Sequence, residues 1–253
     1  MLKSICNIYC NLDAHHEILL DKNYGYAKGN NYGLRLAHRL GYKYSLISNN
    51  DVKIIDKNVL VELIKGIETS NENICASPKV IEPNDHVFDP IYKEPKFLNF
   101  AVKEGILYPF FRLTRQKINK SITTETIKPF FGFFLVRNYF LDKIDFFDEG
   151  TFLFVEEDIF LLKIKSLNLR SIYVPTVKIF HYHGQTTKGV NSTKIHLITT
   201  KSYIYYFNKY RGYSKLSCKM ALLSKYIYIF FYRPIVKFFI LFGNKKKAKN
   251  LSL

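Results

Sequence analysis

Residues 44–52 read YSLISNNDV, a short apolar run that stops in Ser48-Asn49-Asn50-Asp51. An apolar run of this length closed by turn-forming polar residues reads as a strand and its exit turn. A polar cluster at the carboxyl end of a strand is where open α/β sheets bind ligands. A carboxylate placed there can hold a hard divalent cation, Mg2+ or Mn2+, against substrate phosphates. Asp51 is the candidate ligand, with Asn49 as a carbonyl donor two residues earlier on the same side of an extended backbone. The plain alternative is an Asx turn that does no more than close the strand.

Working outward, residues 17–20 are strand-like, 23–33 (NYGYAKGNNYG) read as a glycine-rich loop, and 34–40 continue as a helix. After the central stretch, apolar residues at 60, 63, 64 and 67 have helical spacing, and 74–77 form another apolar strand. Strand, helix, strand, helix is βαβ punctuation and predicts an α/β fold with a parallel sheet. Residues 78–128 carry Pro78, Pro83, Pro90, Pro95 and Pro109 with little periodicity and read as a long excursion.

Order returns with FFGFFLVRNYFL from Phe130, and two further constellations follow. Phe147-Asp148-Glu149 precedes Glu156-Glu157-Asp158, three adjacent carboxylates beside an apolar run. Mutual repulsion raises the pKa of at least one of them, which suits a general base. An acidic helix N-terminus, favourable with the helix dipole, explains the same residues without catalysis. His181-Tyr182-His183-Gly184 follows the strand-like runs 171–174 and 177–180. A histidine at a strand end can hold a metal or a phosphate, or can be structural.

Taken in order, NYGYAKGNNYGLRLA, YSLISNNDV, FFGFFLVRNYFLDKIDFFDEGTFLFVEEDIFLLKI and VPTVKIFHYHG resemble the successive blocks of family 2 glycosyltransferases, most of all the bacterial rhamnosyltransferase-like branch. The resemblance covers about residues 23–187, and the joint order is specific where single blocks are not. It implies a GT-A fold, a mixed sheet flanked by helices. It also implies that Asn23, Gly25, Gly29, Asn30 and Asn31 match the loop near the nucleotide, and Asn49 and Asp51 the metal–diphosphate motif. Asp148 and Glu149 match the acceptor-side segment. Glu157 falls on the catalytic-base position, flanked by Glu156 and with Asp158 as the shifted alternative, and His181 falls on the closing histidine near the metal. The implied reaction is a single inverting displacement, with Mg2+ or Mn2+ neutralising the leaving nucleoside diphosphate. One departure from the pattern stands out. Only 22 residues precede the first block, too few for the family's first strand and nucleobase loop, so the expectation is a fold lacking its first strands.

The 253 residues suffice for one large domain with an appendage, here residues 1–187 and a basic tail, 188–253. A hydrophobic fraction of 47% excludes wholesale disorder. The formal charge of +17 is one-sided: no acidic residue follows Asp158, while 18 of the 38 basic residues do. Such a field points to an anionic membrane surface, with a solvated tail as the plain alternative. Nucleic acid is set aside because no RRM, helix-turn-helix or zinc pattern accompanies the charge. Residues 226–242 (YIYIFFYRPIVKFFILF) are interrupted by Arg233, Pro234 and Lys237 and read as an interfacial helix, not a span. Cys6, Cys10, Cys75 and Cys218 form no CxxC pair and read as reduced thiols, with Cys6 and Cys10 spaced as helix neighbours. The N-terminus does not read as a signal peptide.

The expectation is therefore a cytoplasmic enzyme, peripheral at the inner face of the cell membrane. It would transfer a sugar from a nucleotide-sugar donor to a glycan or lipid-linked acceptor in bacterial surface polysaccharide synthesis. The alternative is a catalytically inactive, membrane-associated remnant of such an enzyme.

Overall fold

The computed structural model describes residues 5–11, 14–106, 127–182 and 191–235. They belong to two compact units, Met1–Lys93 with Ile122–Val190, and Glu94–Ser121 with Asn191–Leu253.

In the first unit, β1 (Ile5–Asn11) and β2 (Ala14–Leu19) pair antiparallel as a separate two-stranded sheet. Helix α1 (Tyr26–Arg39) leads to β3 (Tyr44–Ser48), β4 (Val52–Ile54), α2 (Val59–Glu68) and β5 (Asn73–Ile81). Strand β6 (Phe133–Arg137), α3 (Glu156–Ser166) and β7 (Arg170–His181) complete it. The main sheet has the order β3-β6-β5-β7-β4. Only β5 and β7 are parallel neighbours, and the other three pairings are antiparallel.

The sheet is thus mixed and flanked by helices, as the α/β expectation has it, but it is not the parallel sheet that the βαβ punctuation predicts. Strand β6 returns from the long excursion and inserts antiparallel between β3 and β5, and β4 folds back onto the edge of β7. Strand direction leaves no mark on apolar spacing. Strands β3, β5 and β7 nevertheless run the same way, so their carboxyl ends share one edge of the sheet.

Alternation along the central strands divides the core in two. Phe134 and Val136 of β6 join α1 and α3 through Ala27, Leu34, Phe160, Leu161 and Ile164. Phe133 and Leu135 face the other way and join α2 through Val59, Leu63 and Ile67. A period of two on the strand therefore meets helical stripes on both faces. Pro78, in β5, is accommodated where the pairing with β7 shifts register between Pro78 and Lys79. That allows the strand to continue to Ile81, beyond the run 74–77.

Two expectations are corrected. The segment 23–33 is not a loop: the helix begins at Tyr26, and Gly29 and Gly33 lie within it. Each interior glycine costs about 1 kcal/mol relative to alanine. Burial of Ala27, Asn31, Leu34 and Ala37 along one stripe offsets this. Cys6 and Cys10 lie on a strand, not a helix.

The second unit contains α4 (Ser192–Arg211), α5 (Lys215–Ile227), and two π-helical segments, Asn99–Ile106 and Tyr228–Tyr232. Asn191 and Ser214 cap the two α-helices by accepting from Thr193 N–H and Ser217 N–H. Part of the excursion belongs here. Phe97 stacks on Tyr213 at 4.0 Å, and Phe100 packs against Tyr203 and Phe207. Among the described residues no helix is long and apolar enough to cross a membrane. Of the stretch 226–242, residues after 235 lie outside the described residues, as do His183 and Gly184.

Leu63 is fully buried against both β5 and β7. Leu63→Ala is expected to lower stability by about 2–5 kcal/mol, read as a reduced midpoint in urea with an unchanged slope.

Candidate functional site

The carboxyl edge shared by β3, β5 and β7 gathers the first group. Asp51 follows β3, and its carbonyl accepts the Tyr182 N–H at 2.9 Å. Val52 is in register with His181, so β4 clips Asp51 to the end of β7. Both side chains are buried, and His181 Nε2 stands 3.4 Å from Asp51 Oδ1. On the other side of the ring, Nδ1 is 3.8 Å from Glu82 Oε1, just past the end of β5. Glu82 also pairs with His86 Nδ1 at 2.7 Å. The Nε2 contact with Asp51 is the closer of the two, and the Glu82 contact is longer than a hydrogen bond.

Asn49, two residues before Asp51, donates its N–H to Gly132 O at 2.8 Å. Asp51 Oδ1 has no hydrogen-bond partner among the described residues. The donor set of one carboxylate and one imidazole is small. Among the described residues no three His, Cys, Asp or Glu side chains are grouped to hold a metal ion. Two protein donors fit a cation that takes its remaining ligands from water and phosphate, as Mg2+ does. They do not fit a fully protein-caged metal.

The second group sits at the start of α3. Phe154 and Val155 both have positive φ, 69° and 74°, immediately before the helix. A β-branched residue in that region is strained, and here burial of Val155 in the core holds it. The turn delivers Glu156, Glu157 and Asp158 into the first helical turn. They are not equivalent. Glu156 is buried, and burial, reinforced by the charge of Glu157, pushes its carboxyl up to about 8. Asp158 is also buried. Glu157 keeps about a quarter of its side chain exposed and pairs with Lys128 at 2.9 Å. Burial of Lys128 works against its charge, but Glu157, Asp158 and Glu156 outweigh it and raise its pKa. The Tyr26 hydroxyl donates to Phe131 O, and its pKa is raised by burial and by Glu157 and Glu156.

The glycine-rich segment is a fastening for this turn. Gly25 has φ +90°, and a Cβ there would lie 2.2 Å from Phe152 O, so only glycine fits. Next to it, Tyr26 N–H donates to that same carbonyl at 2.9 Å. Asn23 Oδ1 accepts the Gly25 N–H, and Asn30 Nδ2 donates to Tyr26 O. Asn31 falls on the buried stripe of α1, fully inaccessible, where an unsatisfied amide would cost about 1–3 kcal/mol. It is satisfied on both sides: Nδ2 donates to Phe147 O and Glu149 Oε1, and Oδ1 accepts the Phe147 N–H. Glu149 also pairs with Arg35 at 2.8 Å. Burial pushes the Glu149 carboxyl up, but Asn31 and Arg35 hold it below the usual range. Asp148 Oδ1 accepts the Gly150 N–H in an Asx turn. Asn31, with Arg35 and Glu149, therefore ties α1 to the segment before α3, while Asn23, Asn30 and Asp148 make local bonds. Gly29 has open space around it.

The segment 127–132 joins the two groups. Lys128 reaches Glu157, the Phe130 ring lies 5.0 Å from His181, Phe131 packs against Tyr26, and Gly132 O receives the Asn49 N–H. Lys128 and Glu82 escape the sequence reading. No pattern marks Lys128. Glu82 follows the strand-end rule that finds Asp51, but Pro78 hides the length of β5.

The chain matches no protein-family model, and no curated protein matches it. It is similar to several solved structures. One is GalNAc-T7 with UDP, GalNAc and Mn2+, with 14% identity over 75% of this chain and 35% of that one, and a TM-score of 0.47. Another is the mannosyltransferase PcManGT from Pyrobaculum calidifontis in complex with GDP-Man and Mn2+, with 15% identity over 83% and 50%, and a TM-score of 0.45. A third is S. aureus TarS 1–349, with 15% identity over 76% and 55%, and a TM-score of 0.39. The chain spans only 35–55% of their lengths.

Because the Glu156 pKa is raised in the folded state, its neutral form is favoured there while the unfolded chain ionises at the ordinary value. Its contribution to stability is fully present below about pH 4.5 and is lost as pH rises to about 8. The slope is at most about 1.4 kcal/mol per pH unit. Glu156→Gln is expected to flatten the fall in stability across this window, measured by urea unfolding at successive pH values. An unchanged profile rules out a neutral Glu156.

Proposed function

We propose that the chain is a glycosyltransferase on a GT-A type frame, moving a sugar from a nucleotide-sugar donor to a glycan or lipid-linked acceptor. The observation that carries this reading is the assembly, within one unit, of the Asp51–His181 pair and the Glu156–Asp158 carboxylates on either side of 127–132. The resemblance of the four sequence blocks to family 2 enzymes, rhamnosyltransferase-like above all, supplies the reaction class.

Asp51 and His181, with Asn49 two residues before Asp51, are the residues that would hold Mg2+ or Mn2+. Bound there with the donor, the cation would neutralise charge on the departing diphosphate. Glu82 sets a second negative charge beside the His181 ring. Glu157, the accessible carboxylate of its triplet, takes the proton from the acceptor hydroxyl, giving a single inverting displacement. Glu156, neutral over much of the physiological range, spares Glu157 the repulsion of a second adjacent charge. Lys128 steadies the Glu157 side chain.

The second unit supports membrane contact and hence a role in surface polysaccharide synthesis at the inner face of the cell membrane. Leu216, Met220 and Leu223 of α5, with Phe230 and Phe231 beyond it, are exposed large apolar side chains. Lys215 and Lys219 lie among them, and exposed apolar and basic groups on one helix suit an anionic interface.

Glu157→Gln is expected to lower turnover by about 10²–10⁴-fold in donor hydrolysis or transfer, with folding unchanged. Asp51→Ala is expected to abolish the Mn2+ dependence of nucleotide-diphosphate binding, followed by calorimetry. A chain that cleaves no UDP-, GDP- or dTDP-sugar with Mn2+, and whose binding ignores Asp51→Ala, is the inactive remnant instead. In liposome sedimentation, binding to anionic vesicles should weaken with Leu223→Asp and with added salt. Recovery of all the protein in the supernatant at low salt refutes the membrane role.

A further inference from the structure

A depression of about 380 Å3 lies at the edge of the main sheet opposite the Asp51–His181 pair. Tyr44 of β3 is in register with Arg137 of β6 at this edge, and Ser48 is in register with Phe133 at the other. The strand pair between them spans about 13 Å. The lining is Lys43, Asn71, Arg137, Tyr139, Phe140 and Lys143. No part of the reaction described above uses any of them.

The lining has a distinct chemistry. Three cationic side chains line it, and Glu68, held to Lys43 at 2.7 Å, is a counter-charge beside them. Arg137 is fixed by donating from Nη2 to Ile67 O at 2.7 Å and Ser70 O at 3.3 Å, which anchors it against the end of α2. Lys143 stands 4.5 Å from the centre of the Tyr139 ring and 5.4 Å from that of Phe140. Tyr139 is 66% exposed, so its ring face is open to a ligand. An anchored arginine and an exposed lysine beside an open aromatic ring and an amide suit a ligand with a negative group, an apolar ring face and hydroxyls. The volume falls within the range of small-molecule sites.

We propose that this depression is a second binding site, for a phosphorylated or carboxylated sugar. Arg137 and Lys143 meet the anionic group, Tyr139 covers the sugar face, and Asn71 takes a hydroxyl. The site lies away from the proposed reaction centre and belongs to a different edge of the same sheet. It holds whether or not the chain transfers sugars, since its ligand class follows from its own lining.

The test is calorimetric titration of the full chain with glucose 1-phosphate, inorganic phosphate and methyl glucoside. Each is also titrated into Lys143→Glu and Tyr139→Ala, which change exposed side chains, and into Asp51→Ala, which changes the buried acid of the proposed reaction centre, with folding of each variant checked by circular dichroism. Glucose 1-phosphate is expected to bind more tightly than inorganic phosphate, and methyl glucoside not to bind. Lys143→Glu should weaken glucose 1-phosphate at least tenfold, about 1.4 kcal/mol. Tyr139→Ala should remove the advantage of glucose 1-phosphate over phosphate, and Asp51→Ala should change neither. Binding lost with Asp51→Ala but kept with Lys143→Glu assigns the ligand to the reaction centre and overturns the proposal. So does an equal affinity for phosphate and glucose 1-phosphate, or no heat from any probe at about 10 mM.

Discussion

Strand β6 is hydrogen-bonded on both edges, to β3 and β5, and buried on both faces. That double constraint organises the first unit. Phe134 and Val136 commit one face to α1 and α3, while Phe133 and Leu135 commit the other to α2. A one-residue slip would exchange the two sets and misfit both cores at once, so register here is strongly specified. The same strand is entered through 127–132, the segment that touches His181 through Phe130 and Glu157 through Lys128. The packing that fixes β6 therefore also fixes the spacing of the two polar groups.

Those groups are held by different means. The Asp51–His181 pair depends on backbone register, the pairing of β4 with β7 and the Tyr182 N–H on Asp51 O. The carboxylates of α3 depend on a strained turn, with Phe154 and Val155 at positive φ and Gly25 pressed against Phe152 O. The Asn31 amide closes that second arrangement by matching a buried donor and acceptor to the Phe147 backbone. Electrostatics then differentiates three adjacent acids. Depth, reinforced by the charge of Glu157, pushes the Glu156 carboxyl up to about 8, and partial exposure with a lysine partner leaves Glu157 as the reachable one.

Much of this is legible in the residues. The apolar run ending in Asp51, the helical spacing of 60, 63, 64 and 67, and the acidic cluster before Ile159 all fall on the elements their patterns imply. What is not legible has physical reasons. The direction of β6 and β4 is set by long-range pairing, which periodicity does not encode. NYGYAKGNNYG has the composition of a loop, yet a stripe of Ala27, Asn31, Leu34 and Ala37 makes it a helix, because burial outweighs weak propensity. The resemblance sets the asparagines of that stretch near the nucleotide, and no pattern marks the backbone bonds that Asn23, Asn30 and Asn31 also make. Lys128 and Glu82 join the site only through tertiary contact. The place of Phe97 and Phe100 in the second unit is equally unmarked, since their partners lie far along the chain.

Strand β4 is only three residues long and forms the outer edge of the sheet, with Lys53 and Ile54 exposed. Its partner residues come from the far end of the unit, so the pairing closes a very long loop and returns few hydrogen bonds for that entropy. Three residue pairs are a weak tether, so β4 is the strand of the main sheet most easily detached. A chain with its central layers packed but β4 unzipped would have an open sheet edge beside β7 and no assembled Asp51–His181 pair. Brevity and a lysine on that edge limit the time and the opportunity for another chain to add a strand there.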